Sequence, residues 1–518
     1  MPARTLQERQ REALARITPE ELIGYVNTVS SSTKKGSYYN LPAEHVAALN
    51  DAIAKMMDVL RPFPALMTLT KSITDDARIA SVIQLFRAQP ENEQAVRRWE
   101  CSVFLQMMRD MPPTRVFDLF HYLIGIRRVQ AGDKKILKRT EAPLGGRYVR
   151  GLAERWLHVN HNMLDLWSVK YRNDFRLLAR HIHLSPNFFP GVNWLFGGDP
   201  GTPLQYKVEV CRKAGPGQVP NELWELPVEV ARGFALSKCQ LSPDEFEKEF
   251  SNRGKKTYKE KRISAKRTAK AGGKVEYDPA KERNLFDLLV YLGAQETIPG
   301  AAQHWVQLAA KRQAKELGLN LDDVAVVLDT SPSMFGNKAT QRHPLFKAVA
   351  AAKVFQAATR GSFNLFYTTP QNGNPVIPKL HGSTSYAPQI HRALQVGYEQ
   401  IILIGDGYEN APEGLTHEYL KVLKSRVDTD NRISIVHLNP VGASESLDGV
   451  RELSAFAPSA GLAQVKAIPA AMFTALAKVY PAKAIEAYFR ELVRLQSPQT
   501  ARLMPPEYMA LLPAPREE

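Results

Sequence analysis

The loop Asp329-Thr330-Ser331-Pro332-Ser333-Met334 places one carboxylate and two serine hydroxyls within five consecutive residues. Further along, Thr384 follows Gly382-Ser383, and Asp406 stands in Ile404-Gly405-Asp406-Gly407. Oxygen donors of this kind suit Mg²⁺ or a similar divalent cation, which takes octahedral oxygen ligands at about 2.0–2.1 Å and keeps some of its waters. Asp329, Ser331, Ser333, Thr384 and Asp406 are therefore the candidate metal ligands. Alone, the D-x-S-x-S pattern also fits an ordinary strand-to-helix turn with a serine cap. What favours the metal is that all five pieces follow in order on successive elements. No general base, nucleophile or phosphate-binding glycine loop accompanies them, so hydrolysis is not indicated and no catalytic residue is assigned.

Such donors need a scaffold that brings several loops to one edge. Beyond Leu321, the segments 324–328, 363–367, 401–404 and 433–437 read as buried strands, and helical stretches at 345–360 and 387–396 alternate with them. Continuous apolar strands alternating with helices mean a doubly wound, mostly parallel sheet. Its ligands belong at the carboxyl ends of the strands. From the start to about Gly318 the period is helical instead: Val96, Trp99, Val103, Met107 and Met111 form one face, and Val116, Phe120, Leu123 and Ile126 form another. Thr18-Pro19-Glu20-Glu21 and Ser242-Pro243-Asp244-Glu245 are helix starts, with a hydroxyl cap, a proline and a glutamate three residues on. These helices are expected to stack in pairs as an irregular solenoid, without a clean repeat period. Segments 186–220 and 251–275 break the pattern and are expected to be loops or insertions. The first is dense in Pro and Gly, and the second, with its basic core at 253–274, reads as a mobile loop or weak helix.

The chain has 518 residues, enough for roughly two to four packing units. Its hydrophobic fraction of 44% and charged fraction of 23% are those of a protein that buries a core. Cys101, Cys211 and Cys239 match neither a zinc spacing nor a disulfide framework, no apolar run is long enough to span a bilayer, and residues 1–16 are charged. A cytoplasmic location with no membrane association is expected. The net charge of +15 is localised: 127–150 carries +6 and 253–274 carries +9, which together equal the whole excess. Arg127, Arg128, Lys134, Lys135, Lys138, Arg139, Arg147, Arg150, Lys255, Lys256, Lys259, Lys261 and Arg262 are thus candidates for binding a polyanion. To them we add Lys170 and Arg172 flanking Tyr171, with His183 ending the next helix, as cations, a stacking ring and a polar ring for one groove. Solvated charges, a packing tyrosine and a structural histidine are the alternatives at those four positions.

Two resemblances give these residues a family. The five oxygen donors resemble the metal-ion-dependent adhesion site of a von Willebrand factor A domain over about 322–478. That resemblance implies Ser331, Ser333 and Thr384 as direct ligands, Asp329 and Asp406 as direct or water-bridged carboxylates, and a coordination position left for a partner's acidic group. Upstream, Gly151-Leu152-Ala153-Glu154-Arg155-Trp156-Leu157, Val169-Lys170-Tyr171-Arg172-Asn173 and Leu177-Leu178-Ala179-Arg180-His181-Ile182-His183-Leu184-Ser185-Pro186 are similar to the TROVE domain shared by telomerase-associated, Ro and vault proteins. Gly36-Ser37-Tyr38-Tyr39 and 285–300 extend the likeness thinly over 15–318.

Together these imply a fold of class α plus α/β. A ring-like, HEAT-like helical-repeat domain (1–320) would precede the A domain (321–481), with a C-terminal helix and tail (482–518). They also imply a non-enzymatic Ro-type protein that is a monomeric ring. It would carry small non-coding, Y-like RNA outside and single-stranded ends of misfolded RNA in the hole, with an exoribonuclease as partner. The alternative is a protein-interaction module that uses the metal of the A domain to grip an acidic partner.

Overall fold

The computed structural model describes residues 18–31, 42–90, 93–131, 134–139, 142–144, 146–257, 260–262, 264–265, 277–336, 343–373, 375–441, 450–479 and 481–509, with backbone alone for 19, 31, 42–45, 127–131, 134–139, 475–476, 478–479 and 481–487. Two compact units result: 107–278, and 1–106 together with 279–518. This grouping cuts across the linear division expected at 320 and 481, because the first helices of the chain pack with its last ones.

In the 107–278 unit, helices alternate with short breaks around an aromatic centre. Phe117 meets Trp156 edge-on at 5.3 Å and Trp167 at 5.9 Å, and the two indoles stack at 4.6 Å. The helix Gly146–Val159 reaches this centre because Val149, Leu152, Ala153, Trp156 and Leu157 fall on one face. Ser242 caps Pro243–Arg253 through a capping box with Glu245, as the sequence reading has it.

Three expectations for this unit need correction. The stripe Val116, Phe120, Leu123 and Ile126 is not one helix: the helix stops at Leu123, Gly125 takes φ +76°, and Ile126 opens β1 (Ile126–Ala131), which pairs antiparallel with β2 (Lys134–Arg139). A left-handed glycine ends a helix by releasing its last carbonyls to turn contacts. The basic run after Ile126 is therefore partly a hairpin. Segment 186–220 is not simply loop either, since Pro203–Lys213 is helical and buries Gln205, Val208 and Cys211. Proline density misled there, because proline at a first helical turn starts a helix. In the second basic segment, Pro243–Arg253 extends helix into the expected loop, 260–262 and 264–265 are also helical, and 266–276 lies outside the described residues.

The other unit is built on a five-stranded, wholly parallel sheet in the order β4-β3-β5-β6-β7. Its strands are β3 (Val324–Leu328), β4 (Phe363–Tyr367), β5 (Gln400–Ile404), β6 (Ser434–Asn439) and β7 (Ser459–Gly461). Leu285–Gly293, Ala302–Glu316 and His343–Ala358 cover one face, and Ala387–Gln395 and Leu415–Val422 the other. The chain runs from β3 to one side and returns to β5 on the other, so the strand order reverses at β3. That reversal opens a crevice at the carboxyl edge.

Pro19–Ser31, begun by a reciprocal Thr18–Glu21 cap, closes the far end of the same unit: Asn27 Oδ1 accepts from the Gly461 amide of β7 at 3.3 Å. The C-terminal helices Pro481–Arg494, Pro498–Arg502 and Pro506–Met509 return to Glu93–Arg109, where Trp99 Nε1 donates to Gln496 Oε1 at 2.8 Å and Ser102 meets Thr500 at 3.0 Å.

Candidate functional site

At the crevice, Asp329 follows β3 and Asp406 follows β5, and both side chains are buried. Asp329 Oδ1 accepts from the Ser331 amide at 2.9 Å, from Thr368 Oγ1 at 3.2 Å and from Thr384 Oγ1 at 3.5 Å. Its Oδ2 accepts from the Tyr386 hydroxyl at 3.3 Å. Ser331 and Ser333 Oγ lie 2.8 Å apart, Ser333 donates to the Asp406 carboxylate, and Asp406 Oδ1 takes the Tyr408 amide at 3.0 Å.

All five predicted donors thus gather at one place. Burial, then the Asp406 charge, pushes the Asp329 carboxyl up to about 6, and burial raises Asp406 as well. Two dry carboxylates beside three hydroxyls form an all-oxygen set whose charge calls for a cation, and the chemistry fits a hard divalent ion. Among the described residues no group of three or more His, Cys, Asp or Glu could hold a metal, so hydroxyls would have to supply most of such a shell. Gly405 has no room for a side chain, because the Tyr386 hydroxyl and Asp329 lie over it. Sequence reasoning missed Thr368 and Tyr386, whose side chains reach Asp329 from other elements.

The proposed RNA groove is arranged differently from the expectation. Tyr171 breaks the chain between helices Leu164–Lys170 and Arg172–Ile182, and His183 caps the second in the left-handed region at φ +53°. About 18 Å of helix, at 1.5 Å per residue, separates Tyr171 from His183, which stand at its opposite ends. Tyr171 packs on Phe117 at 5.8 Å, with the Lys170 ammonium 5.9 Å from its ring. Lys170 is held by Glu229 at 3.1 Å and Glu260 at 3.2 Å. Arg172 lies over the Trp194 ring at 3.9 Å and donates to the Trp194 carbonyl at 3.0 Å.

The described side chains among the remaining candidates have partners of their own or lie at the surface. Arg147 sits over Tyr148, Arg150 pairs with Glu154 at 3.0 Å, and Lys256 pairs with Glu247 at 3.1 Å. Lys255 is exposed, and Lys261 and Arg262 are half-buried. Lys259 and the side chains of Arg127, Arg128, Lys134, Lys135, Lys138 and Arg139 lie outside the described residues.

What the structure does bring together is a group of which the sequence reading singled out Arg172 alone. Arg172, Arg176 and Arg180 recur every fourth residue on one helix, so they share a face. Arg212 approaches from Pro203–Lys213 to 5.7 Å from the Trp194 ring while paired with Glu209 at 2.5 Å, and Arg180 lies 5.6 Å from the ring of Phe196, which is 45% exposed. Burial, then Arg212 and Arg176, lower the pKa of Arg172, while Glu209 opposes them. The four-residue spacing was visible in the sequence; the approach of Arg212 was not.

No family model matches this sequence, and no curated protein matches it. Among solved structures the chain is similar to the crystal structure of the Deinococcus radiodurans Ro (RSR) protein, with 13% identity, a TM-score of 0.48, and coverage of 89% of this chain and 99% of that one. Among the described residues no helix is long and apolar enough to cross a membrane.

Proposed function

We propose that this chain is a non-enzymatic, Ro-type RNA-binding protein whose helical part holds a small non-coding RNA and ends of misfolded RNA, and whose A-like domain carries Mg²⁺. The observation that carries the reading is the arginine face at Arg172, Arg176, Arg180 and Arg212 around Trp194 and Phe196. Guanidiniums gathered on one largely exposed face repel one another, and a phosphate chain relieves that repulsion while releasing its counterions. An exposed ring beside an arginine offers a base a stacking platform of the kind single-stranded segments use. The TROVE-like residues between 147 and 186 point the same way, and by the same resemblance an exoribonuclease is the expected partner. Purifying the protein from its own cells and sequencing the RNA that comes with it tests this; no RNA above background rejects it.

The geometry at Asp329 supports a second reading, a module that uses its cation to grip an acidic protein. Ser331, Ser333, Thr384, Asp329 and Asp406 would hold the ion, which would supply a positive coordination position for a carboxylate. Salt separates the readings: phosphate contacts weaken steeply with ionic strength, whereas a metal-bridged contact responds to chelator.

A further inference from the structure

Thr384 reaches the metal centre from a stretch that belongs to no strand, so something must hold it there. Its amide donates to the side-chain Oδ1 of Asn410 at 2.8 Å, and its carbonyl accepts from the Asn410 amide at 3.3 Å. Two residues on, the Tyr386 amide donates to Glu409 Oε1 at 3.3 Å. Glu409 is itself fixed, since the amide of Thr416 donates to its Oε2 at 2.8 Å and the Thr416 hydroxyl donates to its Oε1. Glu409 and Asn410 follow Asp406 directly on the exit of β5. The segment 384–386 is thus tied at three points to the loop that carries Asp406. The Thr384 and Tyr386 side chains then meet Asp329, just beyond β3.

From this geometry we infer that Asn410 and Glu409 are positioning residues for the cation, bracing the Thr384 hydroxyl beside Asp329 before any ion arrives. The inference rests on the metal reading above. Asn410 is the more telling of the two: it is exposed, so its side chain contributes little to the core, yet it satisfies the amide of a fully buried threonine. An acceptor that orients a ligand-bearing backbone sets how much ordering the ion must impose when it binds. Removing such outer partners commonly weakens metal binding by about 10–100-fold.

The test is binding of Mn²⁺ alone to the full-length chain, followed by electron paramagnetic resonance. Asn410→Ala is expected to weaken Mn²⁺ about tenfold while leaving the melting temperature in chelator unchanged. Asn410→Asp, which keeps the acceptor, is expected to bind at least as tightly as the parent. In a Thr384→Ala background, Asn410→Ala is expected to add little, because the hydroxyl it positions is gone; a general structural role would cost the same in both backgrounds. Unchanged affinity in Asn410→Ala, loss in the Asp variant, or equal loss in both backgrounds overturns the brace and leaves the metal reading standing. A parent chain that does not bind Mn²⁺, or binding that survives Asp329→Ala, overturns the metal reading and the brace with it.

Discussion

The edge of the sheet and the face of Arg172–Ile182 hold charge in opposite ways. At Asp329 and Asp406 the charge is negative, buried and surrounded by donors from separate loops. On the helix it is positive, largely at the surface and laid against rings. A buried site of fixed shape selects one small ion, because each donor has a single place for it. An open face of guanidiniums and rings accepts a long flexible anion and discriminates weakly. The two sites should therefore fail in different experiments.

The largest separation is expected from Asp329→Ala. Mg²⁺ binding by calorimetric titration should be lost, while RNA binding and the circular dichroism of the sheet stay as in the parent. Retained Mg²⁺ affinity would remove the metal from the comparison. Next in size, replacing Arg176, Arg180 and Arg212 with glutamine should flatten the log–log salt dependence of single-strand RNA binding by about two units, at roughly 0.7 per phosphate contact. Filter binding across a salt series measures this, and an unchanged slope would move the RNA elsewhere.

A smaller effect concerns pH in the metal-free protein. Asp329, raised to about 6 by burial and then by Asp406, keeps a proton that the unfolded chain has released. Between about pH 4 and 6 the folded state therefore binds more protons, and stability must fall as pH rises through that window. Thermal melts in chelator should show the fall, Asp329→Asn should reduce it and leave only the part due to Asp406, whose carboxyl burial also raises, and Mg²⁺ should offset it above pH 6. The smallest effect is expected from Arg172→Ala. Because its guanidinium is stacked on Trp194, the change should cost about 1 kcal/mol of stability. A loss of RNA affinity with no change in melting would show that Arg172 contacts RNA and contributes little to the fold.

What could be read in advance follows the same division. The metal donors were legible because Asp329, Ser331, Ser333 and Asp406 stand just beyond apolar strands and Thr384 just before a helix, where order along the chain maps onto position along the edge. Tyr386 was not, because nothing local marks a tyrosine 57 residues beyond Asp329 as its partner. Four strands were legible as apolar runs. Ser459–Gly461 was not, since three small residues carry no strand signal and pair only because β6 offers an edge. Counting charge found the dense runs but not the arginine face, whose members are spread over 172–212 among acids. Lys170 read as an open cation because Glu229 and Glu260 are remote in sequence, though they close on it in space.

The return of the C-terminal helices to Glu93–Arg109 has a consequence for the chain as it is made. Trp99 waits for Gln496, 397 residues later, before its indole N–H finds its acceptor. At about 5–20 residues per second that interval is roughly 20–80 seconds on the ribosome. During it the faces of the first helices that the last ones will cover stand open, and a chaperone that binds apolar helices has its longest opportunity there. A chain released short of Gln496 would keep that opportunity permanently.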